Sequence, residues 1–134
     1  MRVKLALLAD AANVSREGKL NILGIFDTIY ARDLPTVHPH MALVLRLEAG
    51  SAETGRTHEV VVELAAPDGT IVFRLPGTLD VPSGGPAMGV GIDHVLAIAN
   101  LSLATEGRYA FRIHADGAVA AEVPLQVERV PVRH

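Results

Sequence analysis

The chain has no cysteine and no tryptophan, and only two tyrosines and three phenylalanines among its 134 residues. The lack of cysteine excludes a disulfide framework, a thiolate metal site and a thiol nucleophile together, and it points to a cytoplasmic location. Long apolar runs are also missing: none approaches the roughly eighteen residues of a membrane-spanning helix. The basic start Met1-Arg2-Val3-Lys4 leads into an apolar stretch that Asp10 ends after five residues, short of the roughly seven that a secretory leader requires. Lysine is scarce, at Lys4 and Lys19 alone, and twelve basic residues stand against fifteen acidic ones for a net charge of -3. With no basic cluster, the electrostatic footprint of a nucleic-acid binder is absent.

What the chain does have is aliphatic. Apolar residues make up 49% and the mean hydropathy is +0.31, so the core is built from Leu, Val, Ile and Ala. A chain of this length forms one domain, residues 1–134, and buries roughly two-thirds of its unfolded surface. Positive hydropathy without a membrane span leaves apolar surface after folding, the mark of a homo-oligomer or of a protein partner.

Strand-like runs recur at 3–8, 20–31, 41–48, 57–64, 71–75, 94–103, 108–115 and 119–127. Alternation is clearest where Met41, Leu43, Leu45 and Leu47 interleave with Ala42, Val44, Arg46 and Glu48, and where His58, Val60, Val62 and Leu64 interleave with Glu59, Val61 and Glu63; each run has one buried and one wetter face. Turns are written at Glu17-Gly18, Pro67-Asp68-Gly69-Thr70 and Asp116-Gly117. The run at 20–31 is long for one strand, and Gly24 fits a bulge where it bends or passes between sheets. Residues 6–14 have helical propensity, 34–40 suit a short turn, and the Gly/Pro-rich stretch 76–91 reads as a long loop.

The last hairpin carries the clearest fold signature. Tyr109, Phe111 and Ile113 alternate with Arg108, Arg112 and His114, then Val119, Ala121, Val123, Leu125 and Val127 follow across Asp116-Gly117. A Tyr two places after Gly107, at the mouth of the penultimate strand, matches the tyrosine corner that ties a crossover loop to a Greek-key sheet through its hydroxyl. On the outward side, Arg108, Arg112 and His114 are expected against small Ala118 and Ala120. The predicted fold is an all-β, mainly antiparallel Greek-key, immunoglobulin-like sandwich of about seven to nine strands, with a small closed barrel as the alternative.

Three blocks of the sequence, Leu-Leu-Ala-Asp-Ala-Ala-Asn-Val-Ser at 7–15, Gly-Lys-Leu-Asn-Ile-Leu-Gly-Ile-Phe-Asp-Thr-Ile at 18–29 and His-Pro-His-Met-Ala-Leu-Val-Leu-Arg-Leu at 38–47, resemble a bacterial family of small proteins known as a domain of unknown function. The resemblance implies kinship and brings no activity, cofactor or catalytic residue with it.

Candidate chemistry is sparse. His38-Pro39-His40 places two imidazoles at i and i+2, on one side of a strand, as metal sites in cupins do. The glutamate that pattern needs four residues on is Val44 here, and Pro39 disfavours a central strand. Asp93-His94 would complete a site from elsewhere in the fold, so His38, His40, Asp93 and His94 are the ligand- or partner-contact candidates. His58 and His114 read as strand-face packing or surface residues. No serine sits in a Gly-x-Ser-x-Gly elbow, and the glycines at 84, 85, 89 and 91 precede a strand instead of the helix a phosphate cradle needs. No catalytic residue, resident metal or cofactor is expected. The outward positions Ala42, Val44, Val61, Ala110, Ala118 and Ala120 leave a sheet face under-protected unless a second layer covers it. The expected function is a non-enzymatic binding or assembly module acting through that apolar face and the 76–91 loop. The alternative is a small-ligand or metal-dependent protein using the histidines at 38, 40 and 94.

Overall fold

Asp-Gly, Glu-Gly and Pro-Asp-Gly turns close three antiparallel hairpins, and the fold is the stacking of these into two layers. The computed structural model describes residues 1–83 and 90–131. Its strands are β1 (Arg2–Val14), β2 (Leu20–Phe26), β3 (Thr28–Ala31), β4 (Thr36–Ala49), β5 (Thr57–Ala65), β6 (Ile71–Asp80), β7 (Val90–Leu103), β8 (Gly107–Ala115) and β9 (Ala118–Arg129), with a 3-10 turn at Ser51–Glu53. One sheet has the order β2-β1-β4-β7 and the other β3-β9-β8-β5-β6. Every pair is antiparallel except β3 with β9. The chain changes sheet between β2 and β3, β3 and β4, β4 and β5, β6 and β7, and β7 and β8. This is the predicted all-β sandwich with crossover connections of the Greek-key, immunoglobulin-like kind.

The core lies where the predicted inward residues meet. Met41, Leu43, Leu45 and Leu47 of β4 face Val62 and Leu64 of β5, Tyr109, Phe111 and Ile113 of β8, and Val123, Leu125 and Val127 of β9. Phe73 tilts against Phe111 with ring centroids 6.0 Å apart, beside the buried Tyr109 of the same sheet. Tyr109 is buried, and its hydroxyl donates to the Thr105 carbonyl at 2.8 Å while the Thr105 amide donates back at 3.3 Å. The tyrosine corner therefore ties the β7–β8 crossover to the centre of the second sheet. At the far end of β8, Asp116 (φ 48°) and Gly117 (φ 84°) make the tight turn into β9, as two positive-φ positions require.

Six expectations are corrected. The 20–31 run is two strands in different sheets, and the switch falls at Asp27, whose carbonyl accepts the Gln126 amide at 2.8 Å. Gly24 (φ 72°) marks a separate bend opposite Asp10, and a side chain there would collide with the Asp10 carboxylate. Residues 6–14 are strand, because β1 pairs with β4 in its first half and with β2 in its second; pairing on both sides overrides propensity. Within 34–40, Thr36 begins β4, and Pro39 is tolerated because β1 stops pairing with β4 at Ala42, leaving that stretch open on one side. Within 76–91, Pro76 to Asp80 belong to edge strand β6 and Val90 and Gly91 to β7; 84–89 lie outside the described residues.

The fifth correction concerns the outward alanines and valines. Ala42, Val44 and Val61 are buried. Beyond Gly24 the β1–β2 ribbon turns so that Ala12, Leu20 and Ile22 pack on Ala9, Ala42 and Val44, giving the outer face of β4 a second layer; on the other sheet Ala110 and Ala120 are half-buried and Ala118 is exposed. Nor do the outward charges of the last hairpin face alanines: a bulge between Ile113 and His114 sets Arg112 against Glu122 and His114 against Val119, while Arg108 meets Gln126.

Replacing Tyr109 by Phe keeps the ring and removes the hydroxyl, and is expected to lower stability by about 1–2 kcal/mol. A urea midpoint that does not move would show that the corner is not a stabilising tie.

Candidate functional site

The four predicted contact residues occupy adjacent strands but not one place. His40 lies level with Ala99 and His94 with Leu45, so five residues of β7 and roughly 16 Å separate them at about 3.3 Å per residue. Asp93 and His94, as strand neighbours, point to opposite faces. Asp93 turns outward and takes a bidentate pair from Arg46, at 2.7 and 3.1 Å. His94 turns inward, toward the side of Leu45. His38 packs on Phe26 with ring centroids 6.0 Å apart, and His40 is exposed. No shared ion can be held by His38, His40, Asp93 and His94 at these separations, since zinc keeps its ligands at roughly 2 Å.

His94 does line a cavity. Edge strands β6 and β7 belong to different sheets and are not paired with each other, and between them a cleft of about 150 Å³ opens to core residues Leu45, Leu47 and Val62. Leu75, Leu79, Val60 and Leu96 form its walls, with Pro76, Gly77 and Thr78 along the β6 side. A space of this size holds one aromatic ring or branched aliphatic group. The cleft's chemistry is apolar, with the His94 imidazole at its margin.

The densest group of titratable side chains lies elsewhere, at the start of β5. His58 is 1% exposed. Its Nδ1 stands 2.6 Å from Asp116 Oδ2 and its Nε2 stands 2.8 Å from the Glu53 carbonyl. Asp116 also accepts the Glu59 amide at 3.0 Å and returns its own amide to the Glu59 carbonyl at 2.8 Å. The Glu53 carboxylate accepts the Gly50 amide at 2.9 Å and the Met1 ammonium. The Glu53 carbonyl and then the Asp116 carboxylate raise the His58 pKa above its usual value, against the opposing effect of burial. The His58 ring and then the Glu59 amide hold the Asp116 carboxyl below its ordinary value. The Met1 ammonium, followed by the Gly50 amide, lowers that of Glu53.

Glu53, His58 and Asp116 offer ligand atoms within 4.8 Å of one another, but the arrangement does not fit a metal. Two ligands of one tetrahedral zinc stand roughly 3.3 Å apart, whereas the Nδ1–Oδ2 separation of 2.6 Å is that of a hydrogen bond. The other ring nitrogen faces a backbone carbonyl. Sequence reasoning sets His58 in line with Val60, Val62 and Leu64 and reads it as strand-face packing or a surface residue; it misses the partner, because Asp116 lies in a turn that only the β5–β8 pairing brings near.

A second cluster lies on the outer face of the same sheet. His114 Nε2 is 3.1 Å from Glu63 Oε1, and Arg112 is 3.6 Å from the same oxygen. The His114 bond is the main reason that the Glu63 carboxyl sits below its usual range. These are cross-strand pairs on a solvated surface.

The model of a family described as "Family of unknown function (DUF6941)" matches residues 4–128. Among solved structures, the chain is similar to an immunoglobulin-like protein from Pseudomonas aeruginosa, with 15% identity over 95% of each chain and a TM-score of 0.47. No curated protein matches.

If the His58 group is a hydrogen-bonded cluster and not a metal centre, neither EDTA nor a molar excess of zinc will move the melting temperature. A saturable zinc-dependent rise that Asp116→Asn abolishes would reverse that assignment.

Proposed function

The chain belongs to the DUF6941 family of unknown function, and with no activity to inherit from it we propose that the protein is a non-enzymatic binding or assembly module of the cytoplasm, working as a homo-oligomer. The observation that carries this reading is edge strand β2. Among the described residues the sandwich has four free strand edges, at β2, β7, β3 and β6. Natural edges are protected by charge, proline or cover. Strand β6 carries Arg74, Pro76 and Asp80, β7 carries Asp93, and β3 runs straight into Arg32 and Asp33. Strand β2 has no charged residue and no proline, and it presents Leu23 at 71% and Ile25 at 65% exposure. Gly24 bends the strand without adding a charge.

An uncharged apolar edge offers no repulsion to its own copy, and a twofold axis requires the same patch on both partners. Antiparallel addition of β2 to a second β2 satisfies both conditions and extends the sheet. With Ala42 and Val44 covered, the exposed apolar residues Leu23 and Ile25 at the edge support this reading.

A second reading rests on a different observation, the 150 Å³ cleft between β6 and β7. It supports binding of a small apolar group at the segment 76–79, beside His94, and it needs neither His38 nor His40.

Light scattering coupled to size-exclusion chromatography tests the assembly reading. The unaltered protein is expected to run as a dimer or larger oligomer at micromolar concentration, and Leu23→Lys with Ile25→Lys to run as a folded monomer with an unchanged circular dichroism spectrum. A strict monomer before substitution sinks the proposal.

A further inference from the structure

The clamp at His58 has a property that neither binding reading uses. Both ring nitrogens face acceptors, a carboxylate at 2.6 Å and a backbone carbonyl at 2.8 Å. An acceptor is satisfied only by a proton on the nitrogen, so two acceptors require both N–H groups and hence the cationic ring. The neutral ring has one N–H to offer. Losing the second proton leaves a lone pair of the buried ring against an oxygen, which costs more than the bond was worth on the enclosed Glu53 side and less on the half-exposed Asp116 side.

We infer that His58, held between the Asp116 carboxylate and the Glu53 carbonyl, is a pH-sensitive latch that closes one end of the sandwich only while its ring carries both protons.

The groups that face it come from every neighbouring element. Asp116 lies in the β8–β9 turn and is fixed to Glu59 of β5 through both backbone groups. Glu53 lies in the Ser51–Glu53 turn, and its carboxylate is engaged by Gly50 and by the Met1 ammonium at the head of β1. Arg56 precedes β5 and opposes the cationic ring weakly. Asp80 at the end of β6 is occupied by the Thr57 hydroxyl at 2.6 Å. The Glu53 carbonyl and the Asp116 carboxylate outweigh burial and Arg56, in line with the upward direction of the His58 shift. Leu79, the cross-strand partner of His58, lines the β6–β7 cleft, so the latch stands at the cleft's end.

The direction follows from linkage. A histidine whose folded value is raised contributes its full stability below its unfolded value of about 6.5 and loses it as pH rises through the folded value. Asp116 is lowered, so its share is present above the ordinary aspartate range and lost in acid. The latch is closed in the window between, with Asp116 ionised and His58 protonated. Above that window either the Ser51–Glu53 turn or the β8–β9 turn releases.

Nitrogen-resolved NMR of the His58 ring in the full chain, together with amide hydrogen exchange, tests this. At pH 6.5 both ring nitrogens are expected to be protonated, with a titration midpoint above that pH. After correction for intrinsic exchange, opening at the Glu53 or Asp116 amide is expected to rise by up to about tenfold per pH unit until the midpoint and then level off. Asp116→Asn is expected to lower the His58 midpoint and flatten the rise; His58→Gln, where it folds, removes the rise altogether. A ring with a single proton at pH 6.5, or a rise that persists unchanged in Asp116→Asn, would overturn the inference. Reading the ring directly separates His58 from every other titrating group.

Discussion

Residues 41–45 of β4 are buried without interruption, and the rest of the structure answers to that constraint. A strand with one wet face alternates; a strand buried on both faces does not, and it needs cover on each side. The second sheet covers Met41, Leu43 and Leu45, while the β1–β2 ribbon covers Ala42 and Val44. Each fully buried Val or Leu contributes about 1.5–3 kcal/mol relative to exposure, which offsets the bend at Asp10 and Gly24. That bend in turn carries Leu23 and Ile25 away from the core. The exposed edge at β2 is therefore a consequence of how the centre of β4 is buried.

Two polar side chains fasten the crossovers at opposite ends of β8, and they do so by the same device. Tyr109 reaches from the inner face to the Thr105 carbonyl on the β7–β8 crossover, and His58 reaches from the inner face to the Glu53 carbonyl on the β4–β5 crossover. Each satisfies a backbone acceptor that leaves the ladder where the chain changes sheets. The difference is charge. A phenol hydroxyl donates as a neutral group, whereas His58 must donate twice and is neutral only when it donates once. One end of the sandwich is fastened independently of its ring's protonation and the other is not.

The sequence made the local parts of this fold legible. The Asp116-Gly117 hairpin, the inward faces of β4, β5 and β8, and the Tyr109 corner all follow from residues within a few positions of one another. Alternation told which way Ala42 and Val44 point, but not that a ribbon bent at Gly24 lies over them. The length of the 20–31 run hints at a passage between sheets, but Gly24 draws attention away from Asp27, where the switch falls. Proline and glycine at 76 and 77 looked like loop because turn chemistry and edge-strand tolerance use the same residues. At the site, alternation sets His58 in line with Val60, Val62 and Leu64 but leaves packing and surface both open, and its partner is invisible, since Asp116 is 58 residues away. His38-Pro39-His40 and Asp93-His94 carried the opposite lesson: closeness in sequence set neighbours on opposite faces or at different levels of one ladder.

The buried polar groups of this protein are committed to its own structure. Among the described residues no buried side-chain nitrogen or oxygen lacks a hydrogen-bond partner, and the most enclosed imidazole has both nitrogens occupied. A general base must reach a substrate proton with a free lone pair, and His58 has neither the lone pair nor the access. The surface is different: Leu23, Ile25 and the walls of the β6–β7 cleft are apolar groups left in water. Recognition by such groups is driven by burial, at about 25 cal/mol per Å², and gains specificity from shape and from strand hydrogen bonds at an open edge. His58, the one buried polar residue among those described, spends its hydrogen bonds within the fold, while Leu23, Ile25 and the cleft walls offer apolar contact; both features fit the docking role proposed above.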